Sequence, residues 1–313
     1  MDRMHQLEEE LRDLKSSLKE LRQEIAALRE ESCTGKIQAM LSQRGLPVLS
    51  HSDHSWVLLP KDAPSLHKDA LYALMRRYSF RLFLRELLKH PEGDHVRRLT
   101  QYCSIRTAQS YAGALSKIGI LGTQPNGSYQ LLNPRIRTLG PTLEWYVSQI
   151  FQREFMAPSL FGVKLKNTRH GGDHDVLAVL SDALITVEVK SSPPRGIELQ
   201  EIRAFLDRLL DLRAHTAIFL VDTELRMRDK IVPHFEETLK EVHSKPEGWA
   251  VLPLRDEIFH VMHRIYLINS RRGIYTNLRH CLRDSLFWEN RDGMFHETER
   301  CPQGSRRPGP PVS

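Results

Sequence analysis

Apolar residues recur at Met4, Leu7, Leu11, Leu14, Leu18, Leu21, Ile25 and Leu28, separated by gaps that alternate between three and four. This is the heptad period, with Glu, Arg and Lys filling the positions between, and it predicts a helix over residues 1–32. One helix cannot bury such a stripe by itself. Pairing of two chains as a short coiled coil is the expectation, and docking of the stripe onto the chain's own domain is the alternative. Residues 33–66 turn to Ser, His, Gly and Pro, with a helical pattern at Lys36–Gln43 and a strand pattern at Trp56–Leu59; they read as a linker with local structure. Between Leu71 and Leu139 the pattern gives helix, helix, helix, hairpin. "SFRLFLRELLKH" is a basic amphipathic helix that stops at Pro91, Asp94 can cap "HVRRLTQYC", and Ser104 can cap "IRTAQSYAGALSKIGI". Asn126-Gly127, a tight-turn dipeptide, separates "ILGTQ" from "SYQLL".

After Pro141 helical and strand periods alternate. "TLEWYVSQIFQREF" is a helix, and "FGVKLKNT", "DVLAVLSD" and "ALITVEVKSS" are strands, the last two joined at Ser181-Asp182. "ELQEIRAFLDRLLDLR" is a helix, "TAIFLVD" a buried strand, "IVPHFEETLKEVH" a helix and "GWAVLPL" a strand. The order αβββαβαβ predicts a mixed α/β sandwich over 141–290. Within it, the basic stretch "HVMHRIYLINSRRGIYTNLRHCLRDSLFW" reads as a helical extension that touches nucleic acid, with core packing of Tyr266, Phe287 and Trp288 as the plainer account. The Pro/Gly-rich end places a disordered tail at 291–313.

Charge sharpens this picture. The 313 residues carry a net charge of +6, unevenly spread. Residues 1–32 hold six Lys/Arg against nine Asp/Glu, whereas residues 67–140 hold twelve against four. A positive surplus gathered in one segment is the footprint of a polyanion-binding surface. On the third helix of that segment, Ile105, Ala108, Ala112, Leu115 and Ile118 are expected to face inward. Arg106, Gln109, Ser110 and Lys117 then fall on the outer side, where such groups can read base edges and hold phosphates. A protein-contact face would look the same. No apolar run nears the roughly 20 residues that span a bilayer, and no signal peptide heads the chain, so neither membrane insertion nor export is expected. Four scattered cysteines fit reduced thiols inside a cell.

Candidate chemistry is concentrated in "GGDHDVLAVLSDALITVEVKSS", residues 171–192. Side chains two apart on a strand share a face, so Glu188 and Lys190 project together. An ammonium on a sheet covered by helices needs a partner, which Glu188 or a phosphate can supply. Asp175, starting the adjoining strand, brings a second carboxylate to the same place, with Asp173 as its competitor. Two carboxylates and a strand-end carbonyl form an oxygen-rich site for a hard cation such as Mg²⁺ or Mn²⁺. His170 and His174 are four apart, but Gly171-Gly172 between them breaks any helix; they read as solvent-exposed hairpin histidines, with His174 able to reach a phosphate.

Two resemblances follow from these residues. Residues 67–140, through Leu115–Leu121 and Gly127–Leu131, resemble a winged helix-turn-helix domain, which implies contact with duplex DNA. Residues 138–255 resemble the PD-(D/E)xK, or restriction-endonuclease-like, nucleases. That resemblance implies an αβββαβ core, a Mg²⁺ or Mn²⁺ cofactor, and catalytic roles for Asp175, Glu188 and Lys190. Glu144 on the preceding helix matches the acid that completes the metal shell, and Gln200 or Glu201 falls where some families add a site residue. His174 replaces the Pro that names the motif. The combined expectation is a metal-dependent nuclease acting on DNA, paired through its coiled coil. It would be cytoplasmic at the nucleoid in a bacterium or archaeon, and nuclear in a eukaryote. The competing readings are a non-catalytic DNA-binding regulator and an assembly protein.

Overall fold

The computed structural model describes residues 2–60, 62–90, 99–125, 127–242 and 249–298. Its centre is an eight-stranded mixed sheet. In chain order the strands are β1 (Val48–Ser50), β4 (Ser159–Leu165), β5 (Asp173–Leu180), β6 (Ala183–Lys190), β7 (Thr216–Val221), β8 (Leu252–Arg255), β9 (Ile258–Val261) and β10 (Ile265–Ile268). Across the sheet they lie in the order β1-β4-β5-β6-β7-β10-β9-β8. β4, β5 and β6 form an antiparallel meander, β6, β7 and β10 run parallel, and β10, β9 and β8 return antiparallel. The turn between β5 and β6 is Ser181-Asp182, both at positive φ (49° and 63°). That is the two-residue hairpin geometry whose twist suits the flanking strands.

Helices cover both faces, because the central strands are apolar on both sides. α5 (Gly140–Glu154) and α8 (Ile274–Thr298) pack on one face, where Trp145, Phe151, Leu278 and Leu282 meet Val176, Val187, Ile218 and Tyr266. α6 (Leu199–Leu212) and α7 (Ile231–Val242) cover the other face through Phe205 and Phe235 against Phe219. Those three rings lie 5.1–6.2 Å apart, edge to face, each pair adding about 0.5–1.5 kcal/mol beyond area burial.

The helical segment joins the first of these cores. α2 (Ser65–Met75), α3 (Tyr78–Lys89), α4 (Ile105–Lys117) and the antiparallel hairpin β2 (Leu121–Thr123) and β3 (Tyr129–Leu131) bury Leu71, Phe80, Phe83, Ala112, Leu115 and Leu131 in the same cluster as the α5 face of the sheet. Ser104 caps α4 as expected, its hydroxyl accepting from the Thr107 N–H at 3.2 Å. Ile105, expected inward, is 44% exposed, because it occupies the first turn of α4, ahead of the residues that face Phe80. The helix expected at 95–103 falls partly outside the described residues, as do Asp94 and Asn126; residues 99–103 form a 3-10 turn and bends.

Four other expectations change. α1 runs without a break from Asp2 to Gln43. The linker therefore begins in helix, because Ile37 and Leu41 bury themselves on Val163, Leu177 and Val179 and hold the last turns in place. Earlier in α1, Leu7, Leu11, Leu14, Leu18, Leu21, Ile25 and Leu28 are exposed. Trp56–Leu59 forms turns and bends instead of a strand; Val57, Leu58 and Leu59 still enter the core. The stretch read as a helical extension supplies the end of β9 and all of β10 before it becomes α8, with Tyr266 in the core, Trp288 stacked 4.1 Å over His263, and Phe287 exposed. α8 continues through Thr298, so 291–298 are helical; the rest of the expected tail, 299–313, lies outside the described residues. Among the described residues no helix is long and apolar enough to cross a membrane.

Candidate active site

The opening of the β4–β5–β6 meander gathers the chemical groups. Strands β4 and β5 pair Phe161 with Val176 and Val163 with His174, leaving Gly162 (φ +56°) and Asp175 between those pairs. Asp175 reaches sideways to β6, and its Oδ2 accepts the Val189 N–H at 2.7 Å. Asp173 is exposed and pairs with Lys164 at 3.5 Å. Of the two aspartates, it is Asp175 that contacts β6 beside Glu188.

Glu188 and Lys190 share a face of β6, as the alternation requires. Lys190 Nζ lies 3.1 Å from Glu188 Oε1 and 2.7 Å from Glu201 Oε2. Glu201 is itself fixed at the start of α6, where its Oε1 accepts the Glu198 N–H at 3.2 Å, half of a capping box. Arg208, two turns along α6, donates from Nη2 to Glu188 Oε2 at 2.6 Å.

Glu144 of α5 lies near enough to feel the charge of Glu188. Burial, together with the charges of Glu188 and Asp173, pushes its pKa up to about 7. Asp175 is raised well above the usual carboxylate range, first by burial and then by Glu188 and Glu144; the Val189 N–H and Lys190 pull the other way. Burial works against the Lys190 ammonium, but Glu188 and Glu201 outweigh it and hold its pKa above the ordinary lysine value. Glu188 thus raises the pKa of both Asp175 and Glu144.

The shift at Glu144 has a measurable consequence for stability. The folded pKa of Glu144 lies above its unfolded value of 4.5, so the folded state binds the proton more tightly. Its stabilising contribution is whole below pH 4.5 and is lost as pH rises through about 7. Glu144→Gln is expected to raise the stability of the metal-free protein at pH 8 by about 1–3 kcal/mol and to flatten its dependence between pH 5 and 8. Urea unfolding at the two pH values checks it; an unchanged slope would remove Glu144 from the cluster.

The donors are hard oxygens, the ligand chemistry that Mg²⁺ and Mn²⁺ take. As the side chains stand, no three His, Cys, Asp or Glu among the described residues are grouped tightly enough to hold an ion. Both Glu188 oxygens are engaged, one by Lys190 and the other by Arg208.

His174 corrects an expectation. Only 2% exposed, it sits inside β5, because the glycine turn ends before Asp173. Burial and the charge of Arg208 lower its pKa to about 4, so it is neutral at pH 7, and its Nε2 has no hydrogen-bond partner. His170 turns to Asp211, 3.2 Å away. Arg106, Gln109, Ser110 and Lys117 are all exposed on α4. Gln200 is exposed, and of the two candidates on α6 it is Glu201 that pairs with Lys190. Arg208 was not foreseen; its signal is a seven-residue spacing from Glu201 on one helix.

Comparison with protein-family models and with curated proteins gives no match. Among solved structures, protein VC1899 from Vibrio cholerae is similar over 64% of this chain and 55% of its own, at 18% identity and a TM-score of 0.43. Can2 from Sulfobacillus thermosulfidooxidans, solved in complex with cyclic tetra-adenylate, is similar over 59% of this chain and 50% of its own, at 12% identity and a TM-score of 0.35. The chain thus spans about half the length of each. Neither likeness bears on the chemistry of the site.

Proposed function

We propose that this chain is a metal-dependent nuclease of the PD-(D/E)xK type that hydrolyses phosphodiester bonds of DNA. One observation carries the reading: at the open end of the β5–β6 hairpin Asp175 holds the Val189 N–H at 2.7 Å, between Glu188 and Lys190, which sit 3.1 Å apart, and the charge of Glu144 reaches Asp175. Asp175, Glu188 and Glu144 would hold Mg²⁺ or Mn²⁺. When bound, the ion polarises a phosphoryl oxygen and lowers the pKa of its water. Lys190, steadied by Glu201, orients the attacking water and offsets the charge that builds on the phosphate. His174, neutral and lacking a partner at Nε2, sits beside this group as a hydrogen-bonding side chain without charge.

The order α2, α3, α4 and hairpin supports a winged-helix module, with Arg106, Gln109, Ser110 and Lys117 of α4 turned to duplex DNA. The exposed leucines of α1 support pairing of two chains, which would bring two sites to one duplex. Leu14→Glu combined with Leu21→Glu is expected to turn a dimer into a monomer by light scattering. A wild-type monomer would refute the pairing.

The test of the function is direct. The purified chain, given duplex and single-stranded DNA, is expected to nick or cut in Mg²⁺ or Mn²⁺ and to stop on addition of EDTA. A second reading, a DNA-binding regulator without catalysis, draws on the engagement of both Glu188 oxygens by cations of the chain. It predicts salt-dependent DNA binding with no cleavage at any divalent-ion concentration.

A further inference from the structure

Helix α6 meets the charges of β6 with charges of opposite sign. Glu201 and Arg208 are seven residues apart, two helical turns, and so share one face of α6. Glu188 and Lys190 are two apart on the strand and share the facing side. The result is an antiparallel pairing: Glu201 with Lys190 at 2.7 Å and Arg208 with Glu188 at 2.6 Å. Lys190 holds the other Glu188 oxygen at 3.1 Å. By contrast, neither Asp175 nor Glu144 enters an ion pair among the described residues.

Arg208 is not a loose surface arginine. Its side chain is mostly buried, and it packs beneath Gly172, where an added Cβ would stand 3.5 Å from Cδ and Nη1. Gly172 lies at φ +90°, a conformation that suits glycine. The loop entering β5 therefore closes over the guanidinium and keeps it against Glu188. A charge-assisted hydrogen bond this short is among the stronger polar contacts a carboxylate makes.

We infer that Arg208 is a positioning residue that holds Glu188 while no divalent ion is bound, and that the guanidinium and the ion compete for that carboxylate. The inference rests on the metal-dependent reading of the site. It assigns Arg208 a role distinct from the catalytic groups, because it acts through Glu188 and not on the substrate. Metal affinity is then set partly by how readily α6 releases Glu188.

Calorimetric titration of the full chain with Mn²⁺, without DNA, tests this. Arg208→Gln is expected to bind Mn²⁺ roughly tenfold more tightly than wild type, the scale of one charge-assisted hydrogen bond. Arg208→Lys, which keeps the charge but not the fork, is expected to fall between the two. In a Glu188→Gln background the Arg208→Gln substitution is expected to bring no gain. Unchanged or weaker Mn²⁺ binding by Arg208→Gln would overturn the inference while leaving the nuclease reading standing. An equal gain in the Glu188→Gln background would also overturn it, since removal of a nearby charge would then suffice. Absence of Mn²⁺ binding in both wild type and Arg208→Gln would overturn the inference and the metal-dependent reading together.

Discussion

Lys190→Ala is expected to slow Mg²⁺-dependent cleavage of DNA by roughly 10²–10³-fold, the usual loss when one electrostatic donor leaves a preorganised site. The residue is suited to that role by what surrounds it. Its ammonium sits at the end of a strand whose preceding residues are buried, with Glu188 on one side and Glu201 on the other. Two carboxylates hold its pKa above the ordinary lysine value, so it is charged at neutral pH. A lysine held this way cannot act as a base, but it can fix a water and oppose the charge of a pentavalent phosphorus. The fold should survive the change, because Glu188 retains Arg208. Duplex affinity in EDTA is therefore expected to match wild type within about twofold, whereas the single-turnover rate falls. Pairing the substitution with Glu188→Gln should bring cleavage to background. A double variant that cuts at the wild-type rate would place the chemistry elsewhere.

The legible part of this site is the part carried by local periodicity. Val187 and Val189 on one side of β6 force Glu188 and Lys190 to the other, and alternation reveals this without coordinates. Asp175 against Asp173 was not decidable that way, since both have the same parity. The decision came from the departure at Gly162, which lets Asp175 leave the β4 ladder and reach the Val189 N–H. Arg208 stayed hidden because the polar face of α6 looks like any solvated face; only the docking of that helix over β6 turns it inward. His174 is illegible for a related reason: Gly171-Gly172 mark a turn, and nothing local says that the strand already begins at Asp173. At the fold level, Ser32, Cys33, Thr34 and Gly35 interrupt the apolar period of α1, yet the helix continues because Ile37 and Leu41 find a sheet to pack against. Strands β9 and β10, four residues each, are too short for their period to be told from part of a helix.

Asp222→Asn is expected to destabilise the protein by about 3–5 kcal/mol, the cost of leaving a buried cation without its partner. The carboxylate follows β7 and is fully buried. Arg81 of α3, 1% exposed, donates to it from Nε at 3.0 Å and from Nη2 at 2.8 Å; Arg85 adds a contact at 2.7 Å, and the Ser270 hydroxyl also donates. Burial alone would raise the pKa of Asp222, but the two arginines outweigh it and hold the carboxyl below its ordinary value of 3.8. Asparagine preserves the shape and removes the charge, so Arg81 loses its counter-ion and has no route to water. Arg85→Ala, at a side chain with access to solvent, should cost far less. The sign with pH follows from the lowered pKa: the gap between wild type and Asp222→Asn is whole above pH 3.8 and closes as pH falls further. In thermal melts at pH 7 this amounts to a fall of roughly 5–8 °C. The consequence reaches the site, because the Asp222 N–H donates to the Lys190 carbonyl at 2.8 Å. One buried cluster thus ties α3, in the segment proposed to meet DNA, to the strand end that carries Lys190. A variant with wild-type stability would show that Arg81 finds another partner and that this tie is slack.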